Sequence, residues 1–227
     1  MNRLGFYLAR TLRNDAAIAA LSVPQAELLG AAAGKQVALV GNARALSGGR
    51  QGAAIDAADL VVRINRAPMT SAESHGTRTD WLALAVRLPE ADRQRLDPGR
   101  ILWMSPKRKR LDWQTAHSPG FYLHPLPAVR ELEQTLGAPP STGIMTAALV
   151  LAAPVAGLTL YGFDFFASLS LSGSRGKADV PHDFAAEAAW FAARAEDEGR
   201  AVATRIMERL GPEAAKPHRV VHRKLTR

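Results

Sequence analysis

Three features of the chain predict an α/β fold, a mostly parallel sheet covered by helices on both faces. Short apolar, β-branched runs recur at Val37–Val40, Leu60–Ile64, Asp80–Val86 and Ile101–Met104, the pattern of strands buried on both sides. Polar, helix-compatible sequence separates them, as between Pro89 and Leu96. The first two runs stop at turn-prone residues, Gly41-Asn42 and Asn65-Arg66-Ala67-Pro68. Two asparagines are thereby delivered to the carboxyl edge of the sheet, where open α/β sheets bind ligands.

The remaining elements follow in order. Residues 4–21 place Leu4, Tyr7, Leu8, Leu12 and Ile18 at roughly helical spacing beside Arg10 and Arg13, with Arg3 just ahead. This basic amphipathic pattern serves either a membrane interface or packing against the chain's own domain. Gly30 to Gly34 leads into the first strand. Ser47-Gly48-Gly49-Arg50-Gln51-Gly52 is a glycine-rich turn before a brief helix over Ala53–Ala58, and its glycines suit either close approach of an anion or a tight turn. Neither a G-x-G-x-x-G fingerprint nor a P-loop lysine is present.

Lys107–Arg110 is a basic run after the fourth strand, either a solvated loop or an anion contact. Residues 111–127 form an irregular, proline-containing segment whose Trp113, His117, Phe121, Tyr122 and His124 suit sugar or base contacts or a purely structural role. Val129–Leu136 reads as a helix closed by Gly137. After Pro139-Pro140, Ser141-Thr142-Gly143 opens an apolar helix over Ile144–Ala152. His182-Asp183 starts a long helix with Phe184, Ala188, Phe191, Ala195 and Val202 on its apolar face, expected to run through Gly199 to Gly211-Pro212.

Composition limits the possibilities. With 227 residues, 47% of them hydrophobic, the chain can bury one substantial core. The expected division is an N-terminal helical segment at 1–34, one main domain at 35–211 and a basic tail at 212–227. There is no cysteine, which excludes disulfides and thiolate metal sites and suits a reducing cytoplasm. A net charge of +8 favours an anionic partner: nucleic acid, an acidic membrane surface or an acidic substrate. The longest apolar run, Ala147 to Ala156, falls short of the roughly 20 residues of a membrane span.

Gly41-Asn42, Gly52, Ile55-Asp56, Asp59, Val62-Arg63, Asn65 and Ala67-Pro68 together resemble the long donor-binding motif of the sialyltransferases, glycosyltransferase family 29. Gly76-Thr77-Arg78-Thr79 fits the segment that follows it. Pro140-Ser141-Thr142-Gly143, running to Tyr161-Gly162-Phe163, resembles the family's short motif, and His182 with Glu187 resembles its very short motif. The resemblance spans residues 35 to 191 and looks like that of a bacterial-type relative. It implies a Rossmann-like sheet, a GT-A-like variant, and a donor carrying cytidine monophosphate (CMP). Animal members are Golgi enzymes with a disulfide joining the long and short motifs, and here packing must do that work. The family's His-Tyr pair has no clear counterpart in this sequence.

The resemblance assigns Asn42, Asn65, Ser141, Thr142 and Gly143 to donor binding, Gly41 lies in the same motif, and Arg44 is a further candidate to hold the donor phosphate. A helix start with Ser and Thr offers unpaired N–H donors and a partial positive charge to a phosphate, although plain capping also explains those residues. The chain contains no Asp-x-Asp element of the kind that holds a diphosphate through a divalent ion. This agrees with the metal-independent chemistry that the resemblance implies, and no metal and no cofactor are expected. His182, at a helix N-terminus that disfavours a second positive charge, is the expected general base, with Glu187 beside it. The Ser- and Gly-rich stretch 166–180, with Arg175 and Lys177, reads as a cover over the donor phosphate or as a passive insertion.

The expected function is an inverting, metal-independent glycosyltransferase moving sialic acid or the related acid Kdo from its CMP donor to a glycan or glycolipid hydroxyl. The expected location is cytoplasmic, with peripheral contact at an anionic inner-membrane face. A CMP-binding module without catalysis, serving surface-glycan assembly at the membrane, is the alternative. A nucleic-acid-binding role would rest on basicity alone.

Overall fold

In the computed structural model, which describes residues 1–163, 181–197 and 201–204, the predicted apolar runs are strands of one sheet. The four runs give β1 (Gln36–Val40), β2 (Leu60–Ile64), β3 (Trp81–Leu84) and β4 (Arg100–Trp103), and the sheet adds β5 (Tyr122–Leu123), β6 (Gly157–Tyr161) and β7 (Ala201–Thr204), which were not expected as strands. Their order is β5-β4-β3-β2-β1-β6-β7, and every pairing is parallel. Val40, at the end of β1, is in register with Arg63 on one side and Tyr161 on the other.

Period-two alternation sends each strand's side chains to both faces. Val37 and Leu39 of β1, with Trp81 and Ala83 of β3 and Leu102 of β4, join one core. Helices α3 (Gln25–Ala32), α8 (Leu126–Leu136), α9 (Thr142–Leu151) and α10 (Phe184–Asp197) cover that face. The alternate residues Leu82, Leu84, Ile101 and Trp103 face α1 (Arg3–Thr11), α2 (Asp15–Ala19), α6 (Glu90–Leu96) and α7 (Trp113–Ala116). Beside them, Ala38, Val40 and Val61 pack on Ile55 of α4 (Gly52–Asp56) and on the 3-10 turn Arg44–Gly48. The short helix α5 (Ala72–His75) packs on α4.

Several expectations change. The N-terminal pattern is two helices, with Asn14 capping the second through its bond from the Ala17 amide. Phe6, Ala9 and Ile18 are the residues that enter the core, whereas Leu4, Leu8 and Leu12 point outward. The segment 111–127 is ordered by α7 and β5. His117 stacks on Trp113, and His124 is buried with its pKa pushed down to about 4, first by desolvation and then by the Arg108 charge.

The last helix ends at Asp197 rather than near Gly211, and Val202 lies in β7. The physical reason is that β6 would otherwise present an open edge. A short run containing Val202 and Thr204 just beyond Gly199 is better suited to pairing there than to prolonging a helix. The basic tail 212–227 and the stretch holding Arg175 and Lys177 lie outside the described residues. Among the described residues, no helix is long and apolar enough to cross a membrane.

Candidate functional site

The strand order contains one reversal. From β1 the chain steps outward through β2, β3, β4 and β5, then returns to lay β6 along the other side of β1. The carboxyl ends of β1 and β6 therefore form a topological switch point, the place where sheets of this kind bind ligands. Gly41, Ser141, Gly143, His182 and Glu187 are linked to it through the contacts described below, whereas Arg175 and Lys177 lie outside the described residues.

Gly41 and Gly143 are required there by close packing. The Gly41 amide donates to Tyr161 O (2.7 Å) and the Ala43 amide to Gly162 O (3.1 Å), stitching the turn after β1 to the turn after β6. The Phe163 ring then runs between the two glycines. A Cβ added at Gly41 would lie 3.0 Å from its Cδ2 and Cε2 and would collide with Gly162 O, and one at Gly143 would lie 2.5 Å from its Cε1. Phe191 of α10 meets the same ring edge to face at 6.4 Å. Packing about one phenylalanine thus joins the long-motif and short-motif stretches in a chain without cysteine.

Ser141 caps α9, its Oγ accepting from the Ile144 amide at 3.3 Å. Glu187 of α10 is buried beneath that cap. One carboxylate oxygen accepts from the Ser141 amide and the other from the Ser141 hydroxyl, both at 2.8 Å. Burial pushes the Glu187 carboxyl above the ordinary range, the two Ser141 bonds pull it back, and the Asp183 charge adds to the rise. With the Ser141 and Ile144 amides engaged, the Thr142 and Gly143 N–H groups are, among the described residues, the open donors of the first helical turn.

His182 is tied to the same loop. Its Nδ1 lies 2.7 Å from Pro139 O, and since a carbonyl only accepts, Nδ1 carries the proton. A neutral ring held this way keeps its lone pair on Nε2. Asp183 caps α10, its Oδ1 accepting from the Ala185 and Ala186 amides at 3.0 Å. Pro139, Ser141, His182 and Glu187 are thereby one connected unit, and Glu187 acts through Ser141 as a positioning residue.

The two asparagines hold neighbouring strand ends together. Asn42 Nδ2 donates to Ile64 O at 3.2 Å. Asn65 adopts a left-handed backbone (φ 53°), which Asn tolerates better than most residues, and its Oδ1 accepts from the Ala85 amide at 2.9 Å. Arg44 begins the 3-10 turn beyond β1 and is exposed. The glycine-rich turn is explained by packing, since a Cβ at Gly52 would overlap Ala72 O of α5.

One residue of the long motif, Arg63, has a role that the sequence did not assign. Arg63 sits fully buried in β2, donating through Nε to Arg78 O (2.7 Å) and through Nη2 to His75 O (2.8 Å). Desolvation lowers its pKa to about 10, against the opposing pull of Asp56. Asp56 in turn accepts from the Thr77 and Arg78 amides. Burial works to raise the Asp56 pKa, but those bonds, the Thr77 hydroxyl and the Arg63 charge hold it below the ordinary range. These residues brace the segment behind β2. An arginine inside an apolar strand was the available signal.

Among the described residues, no group of three or more His, Asp or Glu side chains could hold a metal ion. The fold defines an α/β protein whose parallel sheet reverses its strand order between β1 and β6. More specifically, the family model of glycosyltransferase family 29 (sialyltransferase) matches residues 7–109 of the chain.

Two solved structures agree on the fold. A mammalian sialyltransferase is similar at TM-score 0.54 and 20% identity, over 71% of this chain and 66% of that one. A mammalian sialyltransferase in complex with Gal-beta-1-3GalNAc-ortho-nitrophenol is similar at TM-score 0.52 and 19% identity, with the same coverage. This chain therefore spans just under two thirds of their length. The sialyltransferase CstII from Campylobacter jejuni, in complex with the substrate analogue CMP-3FNeuAc, is similar at TM-score 0.47 and 14% identity, over 75% of this chain and 79% of that one. Among curated proteins, none matches this chain in sequence.

Proposed function

We propose that the protein is an inverting glycosyltransferase that moves sialic acid, or the related acid Kdo, from a CMP-activated donor to a glycan or glycolipid hydroxyl. The observation that carries this reading is the tethering of His182 and Glu187 to the loop that opens α9, at the switch point beside Gly41-Asn42. In this reading the donor phosphate lies against the open Thr142 and Gly143 amides, where the helix start supplies hydrogen bonds and a partial positive charge. Asn42, Asn65 and Arg44 complete the donor contacts.

His182 is the base. With Nδ1–H anchored on Pro139 O, Nε2 takes the proton of an acceptor hydroxyl as that oxygen attacks the anomeric carbon from the side opposite CMP. The carbon–phosphate oxygen bond breaks, CMP leaves with the electron pair, and configuration inverts. No metal or other cofactor takes part in this scheme, because the helix amides and amide side chains serve the single phosphate. Its proposed setting is the cytoplasm, at the anionic face of the inner membrane.

The test offers the purified protein CMP-sialic acid and CMP-Kdo over simple sugar acceptors, with and without a chelator. Donor cleavage or transfer that survives chelation and disappears in His182→Ala, with CMP affinity retained, is expected. CMP binding without cleavage of either donor would favour the non-catalytic module, and no preference for cytidine nucleotides would reject the donor assignment.

A further inference from the structure

Helix α1 has two apolar faces, and only one is used by the fold. Phe6 and Ala9 are buried against the domain. Leu4, Leu8 and Leu12 are 79%, 57% and 68% exposed, with Met1 at 47%. At 3.6 residues per turn Leu4, Leu8 and Leu12 fall within an arc of about 80°, so they form one stripe along the helix and its C-cap rather than scattered apolar residues. A helix pinned by one face and apolar on the other is a fixed platform.

The surroundings of the stripe are cationic. Arg3 and Arg13 are exposed on the same N-terminal segment. The turn after β4 adds Lys107, Lys109 and Arg110, all exposed, and Arg10 fixes α1 to that region by donating from Nη1 to Leu111 O at 2.7 Å. Between the helix and the turn lies a cavity of about 610 Å³ whose lining includes Arg10, Arg13, Lys107 and Lys109. Its one carboxylate, Asp15, is engaged by Arg108 at 2.7 Å. A groove with this charge accepts phosphates, while the leucines beside it need a nonpolar medium.

We infer that the outer face of α1 and the basic turn after β4 dock the protein on an anionic phospholipid bilayer, the leucines entering the interface and the cations meeting lipid phosphates. Charge complementarity selects this occupant. A second copy related by two-fold symmetry would bring the same cations face to face. The chain's own residues 205–227 carry seven Lys and Arg against two Glu, so they too are repelled by the groove. The turn after β4 follows the carboxyl end of a parallel strand, which puts it on the same sheet edge as Gly41-Asn42. The inference supplies the surface for the membrane setting proposed above and does not depend on the donor chemistry.

The experiment is cosedimentation of the full chain with vesicles of phosphatidylcholine alone and of phosphatidylcholine with phosphatidylglycerol. Two double variants, Leu8→Glu with Leu12→Glu and Lys107→Glu with Lys109→Glu, are compared at matched stability and CMP affinity. All four side chains are exposed, so the fold tolerates the changes. Binding to the anionic vesicles only, reduced about tenfold or more by each double variant and weakened by salt, is expected. Equal binding to both vesicles, no binding, or loss with the lysine pair alone would overturn the inference. A dimer in solution that the leucine pair dissociates would overturn it in favour of self-association. Loss of CMP binding with membrane binding intact would count against the donor reading only.

Discussion

Replacing Glu187 with Ala removes the carboxylate that receives both the amide and the hydroxyl of Ser141. Hydrogen bonds to a charged acceptor contribute about 1.5–3 kcal/mol each, and part of that is offset because the carboxylate is only 3% exposed and unfavourably desolvated. The expected net loss for Glu187→Ala near neutral pH is about 2–3 kcal/mol. Glu187→Gln, which keeps the shape and one acceptor, should stay within about 1 kcal/mol of the parent.

The pH dependence has a definite sign. The folded-state pKa of Glu187 is raised above its ordinary 4.5. The part of its contribution that depends on pH is therefore fully present below that value and is lost as pH rises through the folded pKa, while the two Ser141 bonds remain to be lost in Glu187→Ala. Urea unfolding of the three proteins across this range is the assay, with CMP titration at each pH. The stability of the parent relative to Glu187→Gln should decline as pH rises, and CMP affinity should drop about tenfold or more only in Glu187→Ala. The reasoning fails if Glu187→Ala unfolds with the parent, or if the parent gains on Glu187→Gln as pH rises.

Two further outcomes are expected. Gly143→Ala should destabilise by about 1–3 kcal/mol and weaken CMP binding, because Phe163 is confined by Gly41 on its other side. In a Phe163→Leu background that penalty should shrink, and strictly additive losses in thermal unfolding would refute the contact. His124, depressed from 6.5 to about 4, contributes stability that is present above 6.5 and lost as pH falls through the folded value. That interval corresponds to about 3 kcal/mol, so urea unfolding of His124→Gln should show a flatter decline over the same acid range.

Local pattern carried much of this fold. Strands buried on both faces announced themselves as apolar runs, and Ser141 and Asp183 cap the helices their positions suggested. What the pattern could not carry were relations between distant residues. Glu187 reads as a first-turn acid suited to a helix dipole, and only the approach of α10 to α9 turns it into the partner of Ser141. Val202 fits the apolar face of a continuing helix by spacing alone, and the open edge of β6 decides otherwise. The periodicity of Leu4, Leu8 and Leu12 was plain in the sequence. Which side of α1 the domain covers depends on Phe6 packing among residues far along the chain, including Trp113.

The most direct measurement is an NMR titration of isotopically labelled protein with CMP in the presence of chelator, following the Asn42, Thr142 and Gly143 amides and the two ring nitrogens of His182. The account predicts that these signals move together with a single dissociation constant, and that His182 reports a proton on Nδ1 and a free Nε2. Shifts confined to the cationic groove around Lys107, or a His182 ring protonated on Nε2 alone, would contradict it.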